Sequence, residues 1–365
     1  MYTQIAIRFS CLLTVLAMGL FIQAQQPWLP RDPSPAAKVS QTVGISTIEV
    51  NYSRPAVKGR IVWGVLVPYG WDKQGSAIGL ESPWRAGANE NTILHLSDPA
   101  TIEGNLVPAG DYGLFFIINP DNTGEVILSK DYKAWGSFFY NPKNDQMRAK
   151  ITLRDLPFST ERLSYSFDVM DHNVAELDLN WEKKQFPVKI TFAVDEIVMA
   201  NAKQLLDGQT GFIWQNVEAA ANYSLANKVN LDQGLKWANR AIQAQPVPSM
   251  DPYATKAGIL ELQGNPAEAE KILNDAMAKA TETDLNFYGY RLLNNKQYDK
   301  AIAALKLNTQ RHPESANTWD SLGEAYALSG DKQNAIMNFK KSLSLNPPAN
   351  VKANSEKYLK QLGAM

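Results

Sequence analysis

Four cations, one carboxylate and two amides crowd two short stretches of this chain. Arg54, Lys58 and Arg60 lie within residues 53–60, and Arg85, Asn89 and Glu90 within residues 84–91. Guanidinium groups recognise carboxylate or phosphate through two parallel hydrogen bonds, so several cations at one cleft would favour an anionic ligand. Trp63, Trp71, Trp84 and Trp135 are near in sequence and offer flat apolar faces for a sugar ring or a stacked arginine. The same residues admit two other readings. One is hydrolysis of a glycan or peptide, with Glu90 and an arginine in the site. The other is structural, with Arg85 or Arg54 paired to Glu90 to pin long loops. A pocket that gathers Glu90, Arg85 and a second carboxylate would favour catalysis; arginine and tryptophan without an acid–base pair would favour binding alone.

Other chemistry is poorly represented. His95, His172 and His312 share no metal-ligand spacing, and no nucleophile elbow, phosphate loop or dinucleotide fingerprint occurs. The sequence therefore assigns no metal, no cofactor and no catalytic residue. With 36 Lys and Arg against 37 Asp and Glu, the 365 residues carry a net charge of −1. That balance gives no electrostatic footprint for nucleic acid or an anionic membrane surface.

The elements that hold the cationic stretches read as strands. Residues 47–52, 93–96, 150–153, 162–169 and 175–181 alternate with period 2, and residues 114–118 form a continuous apolar run suited to a central strand. Turn signals at 108–111, 119–124 and 141–142 separate them, and residues 75–82 read as a surface loop. About eight strands without intervening helices predict an antiparallel sandwich or jelly-roll-like domain. The stretches 53–60 and 84–91, together with 40–44, 66–70, 108–112 and Trp135-Gly136, resemble the signatures of the domain of unknown function 2911 family, a family of exported bacterial proteins. The resemblance covers residues 38 to about 195. It implies a domain boundary there, and tetratricopeptide repeats after it, as in some members, without implying an activity.

The last third of the chain carries a pattern with a period of 34. Trp319, Leu322, Gly323 and Tyr326 fall at i, i+3, i+4 and i+7 of one helix, followed by Ala335, Phe339 and Ser342 on the next and then Pro347. Leu285, Tyr288, Gly289, Leu292, Ala301, Leu305, Asn308 and Pro313 occupy the matching positions one period earlier. This is the tetratricopeptide pattern. Small residues let paired helices approach, large aromatics such as Trp319 and Phe339 fill the remaining space, and Gly330-Asp331 supplies a helix stop followed by an N-cap. Degenerate units precede these at Val217–Pro246 and Tyr253–Ala276, where Asn265, Pro266 and Glu268 predict a capping box.

Taken together, the expected organisation is a signal peptide at 1–24, a proline-rich extended lead-in at 25–37 and a β-rich domain at 38–195. A connecting helix at 196–211, about four helical repeats at 212–348 and a polar capping helix at 349–365 complete it. Arg8, the apolar run from Cys11 and Ala24 carry the signal-peptide reading, and Cys11 is the single cysteine. The expected protein is thus exported, periplasmic or secreted, and free of stable membrane insertion once cut. Its solenoid would hold a protein partner, and its β-domain a small anionic or glycan ligand at Arg54, Lys58, Arg60, Trp84, Arg85, Asn89 and Glu90. The rival expectation is a cell-envelope hydrolase using the same motif region.

Overall fold

The computed structural model describes residues 33–72, 79, 81–246 and 249–364. The signal segment, residues 25–32 of the lead-in and most of the 75–82 stretch lie outside the described residues. The chain divides into two compact units, with the boundary between Val194 and Asp195.

The first unit is a two-sheet antiparallel sandwich. Its described strands are β1 (Ala36–Val43), β2 (Ser46–Ser53), β3 (Thr92–Leu96), β4 (Ala100–Ile102), β5 (Asn105–Val107), β6 (Gly110–Ile118), β7 (Thr123–Ser129), β8 (Asp145–Thr152), β9 (Arg154–Asp171) and β10 (Val174–Phe192). One sheet runs β1-β2-β3-β6-β7-β8, the other β5-β4-β10-β9. Their inner faces meet through aromatic contacts. Phe116 of β6 lies 5.1 Å from Phe186 of β10, and Tyr52 of β2 meets Tyr165 of β9 edge-on at 4.7 Å. Residues 114–118 are buried throughout, as a central strand flanked by β3 and β7 should be.

Three local expectations shift. β1 already includes Ala36 and Ala37, because its full length pairs with β2, and among the described residues Pro33 and Pro35 precede it. β7 begins at Thr123, inside the turn stretch, since Asp121 Oδ1 accepts from the Thr123 amide at 3.0 Å and tightens the turn. Ser82 is buried rather than on a surface loop, and exchanges two backbone hydrogen bonds of 2.9 and 3.0 Å with Asp72.

β10 changes phase along its length. Leu177, Leu179 and Trp181 are buried at odd positions, whereas Phe186, Val188, Ile190 and Phe192 are buried at even ones. The switch coincides with register shifts around Glu182, whose φ of 51° is left-handed. The left-handed residue flips the alternation of β10 and returns the second half of the strand to the same core, while the surplus residues at these shifts lie on β9.

The second unit is helical. α1 (Val194–Leu206) and a short 3-10 turn (Gln209–Phe212) lead into the pairs α2 (Trp214–Asn227) and α3 (Leu231–Ala244), α4 (Met250–Leu262) and α5 (Pro266–Lys279), α6 (Glu282–Asn294) and α7 (Tyr298–Arg311), and α8 (Ala316–Ser329) and α9 (Lys332–Ser344). α10 (Ala349–Gln361) follows them. The pairing depends on small residues. A Cβ at Gly323 would stand 2.9 Å from the Phe339 ring, and one at Gly289 would stand 2.6 Å from Leu305. Leu285, Tyr288, Ala301, Leu322, Tyr326, Ala335 and Phe339 are all buried. Gly330 ends α8 at φ 89°, and Asp331 caps α9 by accepting from the Asn334 amide at 3.0 Å.

Two details depart from expectation. Asn265 makes no side-chain cap, so the capping box sits instead at Thr281 and Asp284, which bond each other's backbone amides. Trp319 is only half buried; its indole N–H bonds the Pro313 carbonyl at 2.9 Å, and Lys341 lies over its ring. It therefore covers the edge of the unit instead of filling its centre.

Candidate ligand-binding site

The loops between β2 and β3 build a cleft of about 520 Å³ in the first unit. Its walls include Lys58, Arg60, Trp84, Arg85 and Asn89, five of the seven residues expected from sequence. The backbone explains why they converge. Trp84 pairs with Phe116 through two hydrogen bonds of 2.9 Å, which fastens its stretch beside β6, while the Val57 amide bonds Glu161 O and the Lys58 amide bonds its carboxylate. Lys58 (φ 48°), Ala86 (φ 54°) and Asn89 (φ 62°) all adopt left-handed backbone, which folds both stretches tightly.

Aromatic rings form the cleft floor. Trp84 stacks on Trp181 at 5.8 Å and 17°, and Trp63 meets both edge-on at 5.7 and 5.8 Å. The indole N–H groups of Trp63 and Trp181 are buried without a hydrogen-bond partner, so this cluster is held by packing and not by polar contacts.

Arg85 is the least exposed of the cations that line the cleft. Its Nη1 donates to the Asn89 carbonyl at 2.6 Å, and its guanidinium lies 5.6 Å from the centre of the Phe138 ring. Gly136, at φ 56°, permits this: a Cβ there would stand 2.5 Å from Cζ and 2.7 Å from Nε of Arg85. Burial lowers the proton affinity of Arg85 from the ordinary arginine range. Among the described residues Arg85 and Glu90 form no ion pair.

The remaining expected residues divide by role. Arg54 is drawn away, its Nε donating to the Leu163 carbonyl at 2.9 Å to tie the end of β2 to β9. Arg60 folds back on its own loop, with Nε on the Val57 carbonyl at 3.1 Å and Nη2 on the Ala56 carbonyl. Glu90 is half buried and does not line the cleft; the carboxylate that does, among the described residues, is Asp72. Trp71 packs with Tyr140 at 6.0 Å and beneath Arg148, and Trp135 is partly exposed. Sequence reasoning missed Trp181 and Phe138, which lie far along the chain, and Gly136, whose role shows only in three dimensions. No three His, Cys, Asp or Glu side chains among the described residues gather to hold a metal ion.

The second unit carries a polar seam along the first helices of its repeats. Tyr290, Glu324 and Tyr358 stand 34 residues apart on α6, α8 and α10. Both tyrosine hydroxyls donate to the Glu324 carboxylate, at 2.9 and 3.0 Å. Asp320, one turn earlier, accepts from Asn354 at 2.8 Å and Ser355 at 2.5 Å, and burial raises its carboxyl above the usual range. Arg291 similarly links α6 to Asp251 and Thr255 of α4 and to Asn222 of α2. No helix among the described residues is long and apolar enough to cross a membrane.

Comparison with known proteins agrees with both units. Residues 34–190 match the family described as "Protein of unknown function (DUF2911)", and residues 316–348 match a tetratricopeptide repeat. No curated protein matches the chain. Among solved structures, it is similar to YrrB, titled a TPR protein with an unusual peptide-binding site (17% identity, 45% of this chain and 84% of that one, TM-score 0.25). It is also similar to pilF of Pseudomonas aeruginosa (24% identity, 40% and 68%, TM-score 0.25) and to MamA of Desulfovibrio magneticus RS-1 (16% identity, 43% and 88%, TM-score 0.26). Residues 34–190 thus match the DUF2911 model, and the helical unit after them contains a matched tetratricopeptide repeat.

Proposed function

We propose that this is an exported binding protein whose β-domain holds a small anionic or glycan ligand while its solenoid engages a protein partner. The observation that carries the first part is the convergence of Lys58, Arg60, Trp84, Arg85 and Asn89 on one cleft. Cations over an aromatic floor suit an anion with a flat or apolar body. Hydrolysis of a glycan would call for a pair of carboxylates at the site, and the described wall supplies Asp72 without Glu90. Binding is therefore the better supported use.

The solenoid reading rests on the repeat itself, a module whose stacked helices present an extended surface to other chains. Affinity purification of the full-length protein from its native cells, followed by mass spectrometry, tests it. A protein retained by the wild type and lost on removal of residues 212–364 supports the reading; retention by the truncated chain refutes it. Export is tested separately by intact mass. A mature chain starting at or near Gln25 in the envelope or medium is expected, and a full-length cytosolic chain would refute it.

A further inference from the structure

We propose that the Arg85 cleft takes an apolar monocarboxylate, a ligand with one carboxylate head and an aromatic or aliphatic body, in preference to a phosphate or neutral sugar. This rests on the binding reading above and names its ligand class.

The head group follows from Arg85. Its guanidinium is half buried, its plane is fixed between Gly136 and Phe138, and one N–H is used by the Asn89 carbonyl. Among the described residues it meets no carboxylate. Taking a cation out of water without a counter-charge is costly, and an incoming carboxylate on its remaining N–H groups would offset that cost. A fixed guanidinium also matches the two oxygens of a carboxylate in one plane.

The single charge follows from how few donors beside Arg85 are open: Lys58, the exception on this wall, is exposed to solvent, where a cation holds an anion weakly. Ser137 donates to the Pro83 carbonyl at 2.6 Å, Asn89 Nδ2 serves Ser34 and Ser53, and Arg60 is engaged with its own loop. A phosphate monoester brings about two charges and three acceptor oxygens, more than this wall answers.

The apolar body follows from the lining. Trp84, Trp181, Pro55, Pro68, Pro83 and Leu66 face the cavity, and a sugar's hydroxyls would lose water there without gaining partners. Ile61 and Val65, on the loop that supplies Leu66, and Phe139, next to Phe138, are exposed.

The test uses full-length protein and calorimetric titration with 2-naphthoate, decanoate, 2-naphthamide, inorganic phosphate and maltose. We expect both carboxylates to bind, and naphthoate to bind at least about tenfold tighter than its neutral amide. Arg85→Gln should weaken naphthoate by at least about tenfold while leaving naphthamide unchanged. The wild-type comparison of acid with amide keeps the proposal testable if that variant does not fold. Equal affinity for naphthoate and naphthamide would overturn it. Binding of phosphate or maltose without either carboxylate would overturn the ligand class yet leave the cleft reading standing. No heat from any of the five probes would count against both.

Discussion

Asn308 and Ser342 stand one repeat apart and close the same joint. Asn308 donates Nδ2 to the Glu282 carbonyl at 2.9 Å, and Ser342 donates Oγ to the Ala316 carbonyl at 2.8 Å. Each fastens a second helix to the first residue of its partner, and both side chains are fully buried. Ser342→Ala should therefore cost about 1–2 kcal/mol and Asn308→Ala about 1–3 kcal/mol, the latter including a small cavity. Urea unfolding of the full chain, read through hydrogen exchange of α6 to α9, measures both. Unchanged protection in either variant would show that the joint contributes nothing.

Two large aromatics of one repeat should respond unequally. Phe339 is fully buried and stacks on Tyr358 at 5.0 Å and 13°, whereas Trp319 is half buried. Phe339→Ala should cost about 3–5 kcal/mol, and Trp319→Ala, despite the larger side chain, about 1–2 kcal/mol. Equal losses in denaturant melts would contradict the packing described for this pair.

Asp178 of β10 should make the sandwich sensitive to pH. Burial, reinforced by Glu176, raises its carboxyl from 3.8 to about 6, against a lowering by Arg154. Only 7% of the residue is exposed, and its Oδ1 has no hydrogen-bond partner. In the fold the neutral acid is favoured, so between about pH 4 and 6 the unfolded chain ionises first. This group's contribution to stability is then lost as pH rises through that window. Asp178→Asn should accordingly stabilise the protein at pH 7 by on the order of 2 kcal/mol, with the gain gone at pH 4. Melting curves at the two pH values decide it; a gain independent of pH would refute the assignment.

Arg85 and Glu90 should prove independent. Arg85 bonds the backbone of Asn89, not the Glu90 carboxylate. A double-mutant cycle of Arg85→Gln and Glu90→Gln should give a coupling energy below about 0.5 kcal/mol. Coupling above about 1 kcal/mol would restore the paired arrangement that the sequence also allowed.

The helical repeats were the most legible part of the sequence, because a 34-residue period writes the same contacts twice. Gly289 against Leu305 and Gly323 against Phe339 are one contact repeated. The strands were readable wherever period 2 held, as in β2 and β3. They were less so where local chemistry mimicked a turn, at Thr123, or where the lead-in prolines obscured Ala36. In the cleft, Trp84, Arg85 and Asn89 could be found because they are close in sequence. Trp181 could not, since it arrives from β10 about a hundred residues later. Arg54 and Glu90 were grouped with them by adjacency, which says nothing of direction: one side chain turns to Leu163 and the other lies off the cleft wall.

The left-handed residue at Glu182 has a consequence for changes in chain length. The stretch Glu182-Lys183-Lys184-Gln185 looks, by composition, like surface where a residue could be lost without harm. It is also the point at which β10 is re-phased: Phe186, Val188, Ile190 and Phe192 face the core although they are out of step with Leu177, Leu179 and Trp181. Removing Pro187, beyond that point, would act in space as a frameshift acts in a reading frame, turning Val188, Ile190 and Phe192 outward and Lys189 inward, whereas removing Glu182 leaves an unbroken alternation from Trp181 to Phe192. Loss of Glu182 should therefore be the milder of the two deletions.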